Sequence, residues 1–438
     1  MIPSTHDKST HDNSSVSAGS YRWFVLAMLT VVYTFNFIDR QILVILQEPI
    51  KAELGLSDAQ LGLLTGFSFA LVYVIAGIPI AALADRSNRR NIVAWSLTIW
   101  SAMTAISGFV GNYTQLLLAR LGVGIGEAGG SPPAHSMLSD YFPPEQRATA
   151  ISIYTAGIYI GILLGFAGGG WVAQTFGWRQ AFFVIGIPGV VFALFLTLLV
   201  REPIRGRWDG NQVAQQASFK TTMALLKRKP AFWWIALGCA FTSFVAYGNG
   251  NFFPSFLIRT HGMSIADVGL ALGLISGSAG AIGTFAGGVM ADKLGKRDKR
   301  WYVWVPFWGA LIALPPYAYV LFAQEPSQLL AVLFPTSILN SLYLGPSIAI
   351  CQTMVAPHMR AVASAVMFFV LNMIGLGLGP LVVGVLSDTY ASFLGEENLR
   401  YAMLTALVFG AFGVLCFWRA GKLLLNDLSE ESSVRAPL

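Results

Sequence analysis

Four ionisable residues, Asp39, Arg40, Arg120 and Glu127, lie within long apolar stretches of this 438-residue sequence. A charged side chain at the centre of a membrane helix costs about 2.5–3.5 kcal/mol on insertion scales, so its presence suggests a function. Burial favours the protonated form of a carboxyl group, whereas a nearby arginine favours the ionised form. Two acids and two arginines can therefore hold or release a proton, depending on which partner each acid has.

The residues around Asp39 form one polar group. Asn36, Asp39 and Arg40 are spaced i, i+3 and i+4, and side chains at these spacings are neighbours on a helix surface. We expect Asp39 to carry a proton and Arg40 to bind an anionic head group. Asn36 is expected to contribute to the same binding site.

A second polar stripe contains Arg120, Glu127 and Ser131. Arg120 and Glu127 are two helical turns apart, which is about 10 Å at a rise of ~1.5 Å per residue. We expect Glu127 to be the second proton carrier, Ser131 to line the binding site and Arg120 to take part in gating. The alternative is a static ion-pair network that fastens the helices. Pro132 and Pro133 lack backbone donors and predict a bend or break beside Glu127.

The elements that position these residues are membrane-spanning helices. Hydrophobic residues make up 55% of the chain and charged residues only 11%, compared with about 25% charged residues in an ordinary soluble domain. Runs of roughly 20 apolar residues can cross a hydrocarbon core about 30 Å thick. We therefore predict an all-α membrane protein with twelve spans, numbered in chain order: 22–46, 60–84, 91–110, 114–139, 148–170, 178–200, 231–257, 266–291, 302–322, 328–351, 361–387 and 398–420.

Basic residues predict the orientation of these spans. Of the 28 Lys and Arg residues, 22 lie at one end of the predicted bundle and four lie in the opposite loops. Because loops rich in Lys and Arg remain in the cytoplasm, we expect both termini on the cytoplasmic side. This distribution also explains the net charge of +6 without a nucleic-acid partner.

The two halves of the sequence repeat each other. Residues 84–86 (Ala-Asp-Arg) are matched 207 residues later by residues 291–293 (Ala-Asp-Lys). Repeats of this kind occur in transporters whose two bundles rock about a central site. We predict a cytoplasmic tail at 1–21, an N-terminal six-helix bundle at 22–200, a cytoplasmic linker at 201–229, a C-terminal six-helix bundle at 230–422 and a cytoplasmic tail at 423–438.

Two loops resemble the signature that the major facilitator superfamily carries between the second and third helices of each half. They are residues 81–90 (AALADRSNRR) and 288–297 (GVMADKLGKR). Other stretches resemble the spinster branch of that superfamily: 36–40 (NFIDR), 122–128 (GVGIGEA), 177–182 (GWRQAF) and 372–388 (NMIGLGLGPLVVGVLSD).

This resemblance implies two pseudo-symmetric six-helix bundles and a secondary transporter of the bacterial inner membrane that works by alternating access. It implies that spans 1 and 4 are neighbours around a central cavity, where their charged residues would meet. For the spinster branch it also implies proton-linked transport of a lysolipid or sphingoid-type lipid. We expect a monomer.

A cluster of charges lies at the predicted cytoplasmic end of span 2: Asp85, Arg86, Arg89 and Arg90. Asp85 can cap the start of a neighbouring helix, while the arginines pair with acids or carbonyl oxygens. We expect an inner gate that opens during transport. The alternative is a charge pattern that only sets the orientation in the membrane. The second half repeats the arrangement with Asp292, Lys293 and Arg297.

Three further polar residues within spans are candidates for substrate binding: Tyr159, Asn249 and Asn372. Polar residues in membrane helices commonly hydrogen-bond to a neighbouring helix. A role in helix packing is therefore the alternative for each of them.

Motifs typical of other protein classes do not occur in the sequence. It has no GxxxxGK[ST] phosphate loop, no HExxH and no CxxC. We therefore expect no enzymatic activity, no metal and no cofactor, with a proton gradient as the driving force. The expected partners are the lipid bilayer, protons and a small amphiphilic, anionic substrate. A carrier for a small organic metabolite or drug is one alternative, and a non-transporting membrane sensor is another.

Overall fold

The computed structural model describes the backbone of residues 12–208 and 219–435, and the side chains of residues 19–84, 86–208 and 219–428. Every regular element in these ranges is helical, and no strand occurs within them. The prediction of an all-α protein is therefore confirmed.

Six helical segments of the first half correspond to spans 1 to 6. Spans 1, 3, 5 and 6 are the continuous helices Asp12–Ile45, Arg89–Ser107, Pro144–Phe176 and Trp178–Leu199. Span 2 consists of Asp58–Gly62, a π-helical turn at Leu63–Phe67 and Ser68–Arg86. Span 4 consists of Tyr113–Glu127 and Ser131–Tyr141, so the helix breaks where the two prolines predict. A short helix, Gln47–Leu54, joins spans 1 and 2.

The second half repeats this plan. Spans 7, 8, 9 and 12 are Pro230–His261, Ile265–Gly295, Trp301–Phe322 and Asn398–Arg435. Span 10 consists of Pro326–Asn340 and Leu344–Thr353. Span 11 consists of Arg360–Leu371, a π-helical turn at Asn372–Leu378 and Gly379–Leu394. The helix Phe219–Lys227 lies within the predicted linker, and span 12 continues into the predicted C-terminal tail.

Length and apolarity alone identify nine candidate membrane spans among the described residues. The last of these covers 72 residues, Pro357–Leu428, and contains spans 11 and 12, which separate at Gly395 with a φ of 56°. Span 3 begins with two arginines, which reduces its mean hydropathy. Span 4 is broken and carries Arg120 and Glu127. These three features account for the difference from the twelve predicted spans.

The two halves meet where spans 5 and 8 pack together and where spans 2 and 11 pack together. Glycines allow the close approach at both places. A Cβ at Gly66 would lie 2.8 Å from the carbonyl oxygen of Gly377, and a Cβ at Gly170 would lie 2.6 Å from that of Ile265. The π-helical turns of spans 2 and 11 also face each other, and π turns interrupt regular helix geometry.

We expect Gly170→Ala to lower the thermal stability of the purified protein, because the added methyl group would push the backbone of span 8 away. Overpacking of this kind typically costs about 1–3 kcal/mol. Gly168→Ala is the matched control, since nothing lies within 4 Å of a Cβ at that position of the same helix. Equal unfolding temperatures for the two variants would contradict this packing.

Candidate transport site and gates

The charged residues of spans 1 and 4 meet in the middle of the first half. The guanidinium Nε of Arg40 donates to Oε2 of Glu127 at 2.8 Å. The Glu127 side chain is fully buried, whereas 20% of the Arg40 side chain is exposed. Asn36 is also buried and lies beside Glu127. The structure therefore joins one predicted proton carrier to the residue predicted to bind an anion.

Asp39 is placed differently, although it is adjacent to Arg40 in the chain. Its side chain is buried, and neither carboxyl oxygen has a hydrogen-bond partner within the described residues. The nearest cationic group is Arg120, whose Nη1 donates to the backbone oxygen of Asp39 at 3.5 Å. The Nε of Arg120 is also unpaired in the described structure. An acid and a base thus lie close together in the interior without forming an ion pair.

Aromatic rings surround the two arginines. The Cζ atom of Arg40 lies 5.2 Å from the ring centre of Phe37, 4.8 Å from that of Phe69 and 5.4 Å from that of Tyr73. The Cζ atom of Arg120 lies 5.6 Å from the ring centre of Phe69. Distances below about 6 Å allow cation–π attraction, which is stronger where water is excluded. The rings therefore stabilise guanidinium groups that have few polar partners.

Two cavities lie beside span 7, on adjacent faces of that helix. The smaller, about 40 Å³, is lined by Arg40 and Arg120 from the first half and by Tyr247 and Asn251 from span 7. The larger, about 170 Å³, lies mostly in the second half. Its wall combines aromatic rings with hydroxyl and amide groups: Phe166, Phe253, Tyr317, Ser276, Ser337 and Asn340.

The other predicted binding residues are not among the described residues that line these two cavities. The Tyr159 hydroxyl donates to Thr284 Oγ1 at 2.9 Å, which joins spans 5 and 8. The Asn249 amide donates to the backbone oxygen of Met403 at 3.1 Å, which joins spans 7 and 12. Asn372 begins the π-helical turn of span 11, and Ser131 begins the second segment of span 4. For Tyr159 and Asn249 the contacts seen are those of helix packing.

Arg89 and Arg90, two of the residues predicted to form the inner gate, form their described ion pairs and hydrogen bonds within the first half and with residues at the start of the predicted linker. Arg89 is buried and pairs with Asp140 at 2.6 Å and Glu202 at 2.7 Å. Arg90 donates to the backbone oxygens of Thr197 and Val200. The side chain of Asp85 lies outside the described residues.

Within the described residues, the remaining inner-gate candidates form no hydrogen bond or ion pair with the opposite half. Asp292 accepts a hydrogen bond from Tyr302 at 2.8 Å, and both residues belong to the second half. Neither Arg86, Lys293 nor Arg297 forms an ion pair with another described residue. In the described structure, no hydrogen bond between the charged loops of this end joins the halves.

An ion-pair network joins the two halves at the opposite end of the bundle. Arg259 at the end of span 7 donates to Glu48 at 2.7 Å and to Asp58 at 2.7 Å. Lys51 also contacts Asp58, at 2.5 Å. One residue of the second half therefore holds two acids of the first half.

Span 11 contributes two further residues to this network. The Asp388 carboxylate accepts hydrogen bonds from the backbone N–H groups of Asp58 and Ala59, at 2.9 and 2.8 Å, where the positive end of the span 2 helix dipole attracts it. Ser387 donates to Asp58 at 2.6 Å. We call Glu48, Lys51, Asp58, Arg259, Ser387 and Asp388 the outer cluster.

Sequence reasoning missed the outer cluster. Lys51 and Arg259 are two of the four basic residues that lie in the predicted outer loops. Basic residues are rare in the outer loops, so each one found there suggests a specific acidic partner. The identity of that partner depends on the packing of spans 2, 7 and 11.

The fold and these motifs agree with a known family. The sequence profile of the Major Facilitator Superfamily matches residues 29–380, from span 1 into span 11. The chain belongs to the major facilitator superfamily. Members of this superfamily are transport proteins, so the predictions of this fold and of a non-enzyme are confirmed.

Individual relatives in the major facilitator superfamily cover nearly the whole chain. An MFS-type efflux pump of Mycolicibacterium smegmatis is 38% identical over 94% of this chain and 95% of its own length. Protein spinster homolog 1 of Xenopus tropicalis is 28% identical over 93% of this chain and 82% of its own length.

A solved structure supports the same relationship. The crystal structure of a bacterial homologue of the human lysosomal transporter spinster, in an inward-facing and unoccupied conformation, is 34% identical with a TM-score of 0.86. The match covers 93% of this chain and 98% of that one. The predicted resemblance to spinster proteins is therefore confirmed.

Proposed function

We propose that this protein is a proton-coupled secondary transporter of an anionic amphiphile of the lysolipid or sphingoid type. The observation that carries the proposal is the ion pair between Arg40 and Glu127 beside a cavity that both halves line. The exposed part of Arg40 faces the cavity, while its buried partner can take up a proton. A single guanidinium group is thus available to two competing anions.

The coupling follows from this competition. When an anionic head group binds Arg40, Glu127 loses its partner, and a buried carboxylate without a partner is much less stable than the neutral acid. Glu127 then takes up a proton, so substrate and proton are bound in the same state. Asp39, whose carboxyl oxygens have no hydrogen-bond partner in the described structure, would hold its proton until Arg120 moves toward its carboxyl group.

The apolar part of the substrate would occupy the larger cavity, where Phe166 and Phe253 contribute aromatic surface. The same wall supports a second candidate function. Ser276, Ser337 and Asn340 offer hydroxyl and amide groups, which would suit a small hydroxylated metabolite. The protein would then be a carrier for an organic metabolite or drug.

During alternating access, an outer gate and an inner gate would open and close in turn. The outer cluster closes the bundle at one end, and the solved relative is described as inward-facing. We propose that the open end faces the cytoplasm, with both termini on that side of the inner membrane. The bundles at 22–200 and 230–422 would then rock apart at the outer cluster and close at Arg86, Asp292 and their neighbours.

Uptake of a fluorescent lysophospholipid into proteoliposomes tests the proposed substrate and driving force together. We expect uptake to increase when a pH gradient is imposed and to fall to the level of protein-free liposomes when a protonophore is added. Sugar acids and other small organic anions should not compete. Competition by such metabolites without competition by lysolipids would favour the second candidate function. Uptake at the same rate with and without the pH gradient would rule out proton coupling.

A further inference from the structure

Two grooves lie on the lipid-facing surface of the second half, at its predicted cytoplasmic end, and Trp418 separates them. One groove, about 470 Å³, lies between spans 9 and 12 and is walled by Trp301, Trp304, Phe307, Trp308 and Trp418. The other, about 370 Å³, lies between spans 7 and 12 and is lined by Trp234, Phe241, Phe412 and Trp418. Trp418 is 39% exposed and forms the ridge between them.

The first groove results from the packing of spans 9 and 12 against each other. Gly421 lets the Trp304 ring pack closely against span 12, since a Cβ at that position would lie 2.9 Å from the ring. Trp308, which is 48% exposed, extends the wall toward the membrane interior. Five large aromatic side chains therefore line an open groove on the surface of the second half.

Two cations lie at the head of the ridge. The ammonium group of Lys422 is 3.6 Å from the ring centre of Trp418, which holds it above both grooves. Arg419, one turn away, lines the second groove. Neither cation has an acidic partner within the described residues. An anion at this point would therefore meet two unneutralised positive charges.

This arrangement fits a ligand with one anionic head and two apolar chains. Aromatic rings at the membrane interface offer apolar faces to acyl chains, and clustered Lys and Arg residues attract anionic lipid head groups. Two grooves that diverge from one cationic point match a diacyl lipid. A zwitterionic head group would bring its own cation close to Arg419 and Lys422 and would be disfavoured.

We propose that an anionic diacyl phospholipid binds across Trp418, with its phosphate at Arg419 and Lys422 and one acyl chain in each groove. This lipid is a structural ligand on the outside of the second half, separate from the cavity beside Arg40. The proposal is independent of the transported substrate.

Native mass spectrometry of the full chain tests the proposal, with phosphatidylglycerol and phosphatidylcholine of the same chains as probes. We expect the protein to retain phosphatidylglycerol preferentially. Arg419→Gln with Lys422→Gln should reduce that retention by about fivefold for each charge removed, since one basic residue contributes about a factor of five at an anionic surface. Retention of phosphatidylcholine should not change.

Two controls decide between a specific site and general attraction to the surface. Lys227→Gln with Arg228→Gln removes two exposed charges from the same end of the protein and should leave phosphatidylglycerol bound. Trp418→Ala leaves the charge unchanged and should weaken retention by removing the ridge. Equal retention of both lipids in the parent protein, or equal losses in the two charge-neutralised variants, would overturn the proposal.

Discussion

Glu127→Gln is expected to abolish proton-driven transport and to destabilise the protein, whereas Asp39→Asn is expected to abolish transport alone. Glutamine keeps the shape of Glu127 but cannot take up or release a proton. It also leaves Arg40 without its ionic partner, and removing one member of a buried ion pair typically costs about 3–5 kcal/mol. Because 20% of the Arg40 side chain is exposed, the lower part of that range applies.

Asp39→Asn provides the contrast because neither oxygen of Asp39 has a partner in the described structure. We expect its stability to change by less than about 1 kcal/mol, since no ion pair is broken. The measurements are substrate uptake under an imposed pH gradient and thermal unfolding of the same preparations. If Asp39→Asn retained gradient-driven uptake while Glu127→Gln lost stability, the charges would be a static network that fastens spans 1 and 4.

The second large effect concerns the outer cluster. Arg259→Ala removes a cation of the second half that binds both Glu48 and Asp58. The side chain of Asp58 is fully buried, and among the described residues Lys51 is then its remaining cationic partner. The contact between the halves is then weakened at this end, and the equilibrium should shift toward a conformation in which the outer end is open.

Cysteine labelling measures this shift. The three native cysteines, Cys239, Cys351 and Cys416, are replaced, and Ser255→Cys introduces a thiol beneath the outer cluster, at a fully buried position. We expect a membrane-impermeant maleimide to label this thiol from the outside at least tenfold faster in the Arg259→Ala background, which corresponds to about 1.4 kcal/mol.

Arg179→Ala is the matched control for this experiment. Arg179 also pairs with an acid at the outer end, at 2.5 Å from Glu53, but both residues belong to the first half. Its loss should leave the labelling rate unchanged. Equal acceleration in both backgrounds would mean that any lost charge loosens the outer end, and the outer cluster would not be a gate.

The features that the sequence predicts correctly are those that depend on local chemistry. Helical spans follow from apolar runs long enough to cross a bilayer, and the break in span 4 follows from Pro132 and Pro133 because proline lacks a backbone donor. Asp39 and Glu127 are expected to be buried because they lie within long apolar runs. These properties depend on residues within a few turns of one helix.

The sequence does not show which of these charged residues pair with one another. Asp39 and Arg40 are neighbours in the chain, but successive residues of an α-helix point about 100° apart. Arg40 therefore reaches Glu127, while the Asp39 carboxyl group points away from Arg40 and has no hydrogen-bond partner among the described residues. The Tyr159 hydroxyl donates to Thr284, 125 residues away in the chain, and no local pattern in the sequence indicates that partner.

The sequence by itself determined the helical spans, their boundary signals and the few charges that the membrane interior retains, because hydropathy and helix periodicity are local. Only the tertiary structure decided which charges pair, since the outer cluster joins residues up to 330 positions apart, such as Asp58 and Asp388. Contacts of that kind depend on how two bundles pack and on which end of the bundle is closed, and no local pattern specifies either.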